Sequence, residues 1–398
     1  MLGCTSAPRG SGPAPAACCT RQAFANALRI AEQYRNPGIT ERRFTHTQFW
    51  GAVENSIHAP ALRYETIGRS ILGREVRAVT FGAGPTRVLL WSEMHGDEAT
   101  ASVAWAGLFL FFAEGTSHPL QQRLSRELTV VFVPMLNPDG AELFQRQNAI
   151  GIDVNRDARR LVTPEAPALK SLRDRVNPHF GFNLHDQNAR TRAGRTGPAS
   201  GIALLPPAYD AAKSYNAVRS RARLVAATLA QAFAYEIPGR IAKYDDEFNP
   251  RAFGDLMQQW GTSTVLIESG ALPDDPQKQR LRTLNAAAIL VALDAIATRG
   301  YEHADPDWYE GLPFNAGGAY DLLVRGARVV LEDSPPMLVD LAINYDDAVA
   351  RTGGRIRDVG DLTEVTAIDT LEGNGLYIHP SQSVLTRTPN GAMLRIGA

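Results

Sequence analysis

From about Tyr64 onward the chain alternates between two rhythms. Short runs dense in Val, Leu and Phe have the length of strands: Val76–Phe81, Arg87–Glu93, Leu128–Leu136, His179–His185 and Ser263–Glu268. Between and after them come longer stretches with helical spacing: Ala101–Ala113, which is apolar almost throughout, then Ser214–Ala234 and Gln277–Thr298. Upstream, Arg21–Arg35 places Phe24, Leu28, Ile30 and Ala31 at helical intervals, and Thr45–Ser56 predicts a second short helix. Strands separated by helices predict an α/β fold: a mixed, mostly parallel twisted sheet covered by helices.

The texture changes after Tyr301. A linker-like stretch over residues 303–318 carries Pro306, Pro313, Gly317 and Gly318. Short β-like runs follow at Tyr320–Val324, Ala327–Leu331, Met337–Asn344 and Gly375–His379. Single cores stop growing near ~250–300 residues, so 398 residues predict more than one unit. The expected organisation is a flexible tail over residues 1–20, a catalytic domain over 21–300 and a small β-rich domain over 312–398.

Charge and composition narrow the function. The formal net charge is -1, with Lys and Arg interspersed among acids, so no basic face for nucleic acid is expected. No run of 18 apolar residues exists, so no membrane span is expected. The three cysteines, Cys4, Cys18 and Cys19, all precede residue 20, which leaves the body without a cysteine metal site or disulfide framework. The first residues, rich in Gly, Pro, Ala and Ser, lack the apolar core of a signal peptide. As given, the chain therefore reads as cytoplasmic; a signal upstream would make it periplasmic or secreted. Nothing in the pattern specifies an oligomeric state.

The candidate chemistry sits at strand ends. Trp91-Ser92-Glu93-Met94-His95-Gly96-Asp97-Glu98 takes a buried strand into a polar loop with a His and a Glu three residues apart. Zinc takes a neutral imidazole nitrogen and a carboxylate oxygen, each ~2 Å away, and a loop at a strand end can aim both at one point. The strand His179–His185 ends in Asn-Leu-His-Asp, where His185 could complete a His2Glu set with one position open for water. Taken singly, His185 reads first as an ordinary hydrogen-bonded, half-buried histidine. Val265-Leu266-Ile267-Glu268 carries a lone carboxylate at a strand end, suited to proton transfer beside a metal or else simply solvated. Asn137-Pro138-Asp139-Gly140 is by itself a turn, but Arg146 and Arg156 after it are fixed cations suited to an oxyanion or a carboxylate. Sites in open α/β sheets gather at the carboxyl ends of strands, so these separate signals converge on one crevice.

In order and spacing, His-Gly-Asp-Glu, Asn-Pro-Asp-Gly, Arg146, Gly-Ile-Asp-Val-Asn-Arg, His185 and Glu268 resemble the zinc metallocarboxypeptidase family over about residues 64–300. Asn-Arg-Asp and His-Asp-Gln resemble a bacterial branch, whose members lean toward secreted or periplasmic peptidases. The resemblance implies one zinc ion on His95, Glu98 and His185, with Asp153 orienting a ligand imidazole. It implies Glu268 as general base and then acid, acting on a zinc-activated water, and Arg146 as the polariser of the scissile carbonyl. Asn155 and Arg156 would grip the terminal carboxylate of a peptide substrate, and Tyr244 is nearest to the family's substrate-capping tyrosine. Arg251 reads as a surface salt bridge or a contact to an acidic substrate group. Asp157 departs from the commoner Asn. Zinc amidases and deacylases acting on cell-wall peptides or N-acyl amino acids share the first motif, and an inactive binding protein is the alternative of another class.

Overall fold

The computed structural model describes residues 15–331, 334–381, 384–388 and 391–394. The chain opens with helices α1 (Pro15–Gln33) and α2 (His46–Ile57), then strands β1 (Leu62–Arg69), β2 (Glu75–Phe81) and β3 (Thr86–Ser92). Helices α3 (Thr100–Glu114) and α4 (Pro119–Glu127) lead into β4 (Leu128–Val133), and α5 (Pro138–Leu143) and α6 (Glu165–Val176) into β5 (Phe180–Asp186). Next come β6 (Arg192–Ala193), β7 (Ile202–Leu205), α7 (Ala217–Ala234), β8 (Ile241–Lys243), α8 (Phe253–Gln259), β9 (Ser263–Ser269), α9 (Gln279–Ala297) and α10 (Asp307–Glu310). The remainder is β10 (Asn315–Ala316), β11 (Tyr320–Val329), β12 (Met337–Asp347), β13 (Thr352–Gly360), β14 (Ala367–Glu372), β15 (Tyr377–Ile378), β16 (Leu385–Thr388) and β17 (Gly391–Leu394).

Eight strands form one twisted sheet in the order β1-β2-β4-β3-β5-β9-β7-β8. The central run β4-β3-β5-β9 is parallel, while β1, β2 and the β9–β7 junction are antiparallel. The period-2 pattern of β3 shows why the sheet is covered on both sides: Val88 and Leu90 enter the core beneath α1, α3, α7 and α9, whereas Leu89 and Trp91 pack toward α6 and α8. Helix α3 is buried nearly all round, as its apolar composition requires. Helix α2 starts where the sequence places it, because Thr45 and Gln48 form a reciprocal capping box.

A second sheet follows, in the order β13-β12-β11-β14, with β15 also on β11. The two runs read as Tyr320–Val324 and Ala327–Leu331 are one strand, β11, interrupted by a bulge between Val324 and Ala327 at Gly326, whose φ is +64°. Strand β13 escapes sequence reading because Thr-Gly-Gly-Arg-Ile-Arg-Asp is polar and largely exposed, an edge strand without a buried face. At the other end, the tail expected over residues 1–20 lies outside the described residues up to Ala14, and residues 15–20 already belong to α1. Ala16 and Ala17 are strong helix formers that extend the pattern seen from Arg21. Among the described residues no helix is long and apolar enough to cross a membrane.

Candidate active site

Parallel strands deliver their carboxyl ends to one rim, and the site is built there. Just past β3, Glu93 takes a left-handed φ of +51° and turns the chain into the loop carrying His95 and Glu98. Gly96 lets that loop lie against α5: a Cβ there would sit 2.0 Å from the Gly140 carbonyl carbon. Asn137, which caps α5 by accepting from Gly140 N at 3.0 Å, donates its amide to the carbonyls of Met94 and Arg146, both at 3.3 Å. The Asn-Pro-Asp-Gly turn therefore joins the loop of His95 to the loop of Arg146.

His95, Glu98 and His185 are buried, and their ligand atoms lie within 4.8 Å of one another. His95 Nδ1 is 2.8 Å from Glu98 Oε1, and His185 Nδ1 is 2.6 Å from Glu98 Oε2. On its far side His95 Nε2 meets Asp153 Oδ1 at 3.0 Å. A neutral His95 donating to Asp153 turns the Nδ1 lone pair toward a carboxylate oxygen, an arrangement that a cation or a proton between them resolves. Burial opposes a charge on His95, but Asp153 and Glu98 outweigh it and lift its pKa to about 9. Burial likewise works against the Glu98 anion, yet His185 and His95 hold it well below the ordinary carboxylate range. This is a closed-in His2Glu donor set with one imidazole already oriented by a carboxylate, and it fits a zinc ion.

The other candidates face the same space. A cavity of about 480 Å³ is lined by the three cluster residues together with Arg146, Asn155, Arg156, Tyr244 and Glu268. Strand register sets Glu268 directly beside His185 on β5 and beside Ala203 on β7. Its carboxyl is pushed well above the usual range by burial, reinforced by the charge of Glu98. Arg146 leans on two carboxylates, reaching Asp153 Oδ2 at 2.9 Å and Glu98 Oε1 at 3.3 Å. Asn155 is held on three sides: its N–H donates to Asp153 Oδ1 at 2.8 Å, its Oδ1 accepts from Phe253 N at 2.9 Å, and its Nδ2 lies 3.4 Å from His185 Nε2. Arg156 donates to the Asn155 carbonyl at 2.8 Å and makes no ion pair among the described residues. Tyr244 leads out of β8, its N–H bonded to Leu204 O at 2.9 Å, with its ring half-buried at the cavity wall.

Two secondary candidates take other places. Arg251 forms no salt bridge among the described residues; its guanidinium donates to the Arg156 carbonyl at 3.3 Å. Asp157 is absorbed by the loop after it, accepting from the backbone of Val162 and Thr163 and from the Thr163 hydroxyl. Sequence reading passed over Asp186 and Lys278, which form a buried ion pair at 2.8 Å beside the cluster, with Thr100 donating to the same Asp186 oxygen. It also passed over Asp255 on α8, at the cavity wall. The adjacency of Asp186 to His185 was the signal available; Lys278 and Asp255 carry none, since only packing brings them near.

Residues 49–195 match the family model described as zinc carboxypeptidase. That span holds His95, Glu98, Arg146, Asp153, Asn155, Arg156 and His185. These residues belong to the zinc carboxypeptidase family. Among curated relatives, a probable carboxypeptidase 2 from Arthroderma benhamiae is 31% identical over 132 residues, covering 33% of this chain and 24% of that protein. A carboxypeptidase 2 from Trichophyton tonsurans is 30% identical, covering 33% and 23%. The chain thus spans about a quarter of the length of these curated relatives. Among solved structures, a metallo-carboxypeptidase from Burkholderia cenocepacia superposes with a TM-score of 0.50 at 20% identity, covering 64% of this chain and 70% of that one. Carboxypeptidase A from Helicoverpa armigera gives a TM-score of 0.52 at 13% identity, covering 70% and 81%. At these identities the structural likeness speaks for the zinc carboxypeptidase fold, the mixed α/β sheet described above. Glu268 and Tyr244 lie beyond the matched span, and it is the sheet that brings them to the cavity of His95, Glu98 and His185.

Proposed function

We propose that this chain is a zinc-dependent carboxypeptidase that hydrolyses the last peptide bond of its substrate. The observation that carries the reading is convergence: a His2Glu cluster, the buried Glu268 carboxylate and Arg156, neither with an ion-pair partner among the described residues, line one cavity. His95, Glu98 and His185 would hold the zinc, which when bound supplies Lewis-acid polarisation and makes water a stronger acid. Glu268 accepts the proton of the attacking water on its carboxylate and passes it to the leaving amine; its burial makes it a stronger base than a solvated carboxylate. Arg146 offers its guanidinium to the oxyanion that develops on the scissile carbonyl. Arg156, with the second amide hydrogen of Asn155, binds the terminal carboxylate and so restricts cleavage to the chain end. Tyr244 covers the bound residue from the cavity wall.

The cavity also supports a side-chain preference. Leu205, Ala252 and Leu266 form apolar walls, and Asp255 lies among them with no ion-pair partner among the described residues. Asp245 and Glu247 add further carboxylates to the lining. Apolar walls ending at an unpaired carboxylate suit the stem and cation of a C-terminal Lys or Arg.

The test compares acetyl-Ala-Arg, acetyl-Ala-Phe and acetyl-Ala-Asp, with zinc content measured in parallel. One zinc per chain and fastest turnover of acetyl-Ala-Arg are expected, and Glu268→Gln should keep the zinc while losing about 10²–10⁴ in kcat. Near-normal turnover by Glu268→Gln would sink its role as base. A zinc-loaded wild type that leaves all three peptides intact but hydrolyses cell-wall peptides or N-acyl amino acids would replace the carboxypeptidase reading with the amidase one.

A further inference from the structure

A second cavity, of about 350 Å³, adjoins the first and shares Glu98, Arg146, Asp186, Gln187 and Asn188 with it. Asn155, Arg156 and Glu268 line only the larger one. If the terminal carboxylate goes to Arg156, the rest of the peptide leaves past Arg146 through this second space. Its lining includes Val349, from the turn between β12 and β13 of the second sheet.

Val349 belongs to the tip of the β12–β13 hairpin, where Asp347 pairs with Thr352 across the turn. Hairpin tips are ordinarily solvated. Here Ala348, Val349 and Ala350 are half-buried, and Val349 lines the second cavity with Asn188 and Lys278 of the catalytic region. Asp347 fixes the tip twice: Oδ1 accepts from Val349 N at 3.1 Å and Ala350 N at 2.9 Å, and Oδ2 pairs with Arg42. Arg42 is in turn tied to the catalytic body through its N–H to Gln277 Oε1 at 2.9 Å, next to the Lys278–Asp186 pair. The segment leading to the second sheet reaches the larger cavity as well, where Asn315 donates to Gln187 Oε1 at 3.2 Å and Gly317 forms part of the wall.

We infer that the second sheet is part of the substrate cleft, with the Asp347-anchored hairpin tip and Val349 forming the subsite for residues on the acyl side of the scissile bond. This rests on the carboxypeptidase reading for the direction in which the peptide lies. Val349 is a specificity-determining residue: it touches no reacting atom, and its apolar side chain offers contact to the second or third residue before the bond. The tip also bounds the space open to those residues, so selection acts on what precedes the cleaved bond as well as on the terminal side chain.

The experiment measures binding by calorimetry in the zinc-loaded Glu268→Gln background, using acetyl-Ala-Arg and acetyl-Ala-Ala-Ala-Arg. Val349→Trp should weaken the longer peptide at least ten-fold while leaving the shorter within two-fold. Val349→Gly, which cannot clash, should weaken the longer peptide about three-fold and spare the shorter. Equal effects on both peptides, or none on either, would overturn the subsite, provided thermal melting shows both variants folded. Failure of the Val349 background to bind either peptide would instead count against the carboxypeptidase reading and, with it, against the direction on which the subsite rests.

Discussion

Glu268 and Asp255 are carboxylic acids in one cavity, and each is set by what surrounds it. Glu268 is buried at a strand end with the Glu98 charge nearby, so its pKa rises well beyond the usual range. Asp255 is raised from 3.8 to about 6, first by burial and against the bond it accepts from Asn249 N. The sign of its effect on stability follows: the folded state holds this proton more tightly than the unfolded chain, so ionising Asp255 costs stability. The penalty is absent below about pH 3.8, grows as pH rises and is complete above about pH 6. Asp255→Asn should therefore stabilise the protein by about 2 kcal/mol at pH 8 and by almost nothing at pH 3.5. Denaturant melts at the two values check this, and a gain independent of pH would contradict it. Sequence reading identified Glu268 because it ends an apolar strand, whereas Asp255 sits in a helix whose pattern names no partner. Asn155 shows the opposite limit. Its residue type was legible, but the contacts that hold it, one at its backbone N–H and two at its side-chain amide, come from a loop, a helix start and a strand end.

At the scale of elements, the site depends on how close two loops come. The β3 loop and α5 touch at Gly96 and Gly140, where backbone rather than side chain forms the contact. Gly96→Ala would push a methyl group into the Gly140–Ala141 peptide, 2.0–2.1 Å away, with no flexible atom able to yield. The expected result is a loss of more than about 2 kcal/mol in stability and a zinc affinity reduced at least ten-fold, because His95 and Glu98 ride on that loop. Unfolding curves and competition with a chelator measure both; wild-type zinc affinity in the variant would refute the coupling. The strands and long helices of this region were readable from apolar periodicity, and β3, β5, α3 and α9 fall within two residues of expectation. The short helices α5 and α8 were not, since six or seven residues carry too little periodicity to read, and β13 was not because it has no buried face.

Across the whole molecule, the two sheets meet through polar ties. Asp321, nearly fully buried, accepts from Arg190 Nε at 2.9 Å and from Tyr345 N at 2.6 Å, while Arg190 also donates to the Tyr345 carbonyl at 2.7 Å. Removing one partner leaves a buried charge and a backbone N–H unsatisfied. Asp321→Ala should cost about 3 kcal/mol and open the stretch around residues 311–319 to protease. Unchanged melting and an unchanged cleavage pattern would show that the sheets are held by other means. Apolar clusters stand on either side of this junction, each confined to its own sheet.

By itself, the sequence determined the alternation of strands and helices, the β-rich character of the last hundred residues and the identity of the chemical groups. Apolar periodicity reports which face of an element must leave water, and His, Glu and Arg have few roles to share at strand ends. The tertiary structure alone decided the strand order that sets Glu268 beside His185, the approach of Gly96 to Gly140, the burial that raises Asp255 and the reach of the β12–β13 tip to the cleft. Each of these depends on contacts between residues far apart in the chain, and local pattern carries no record of which distant partner a side chain will meet.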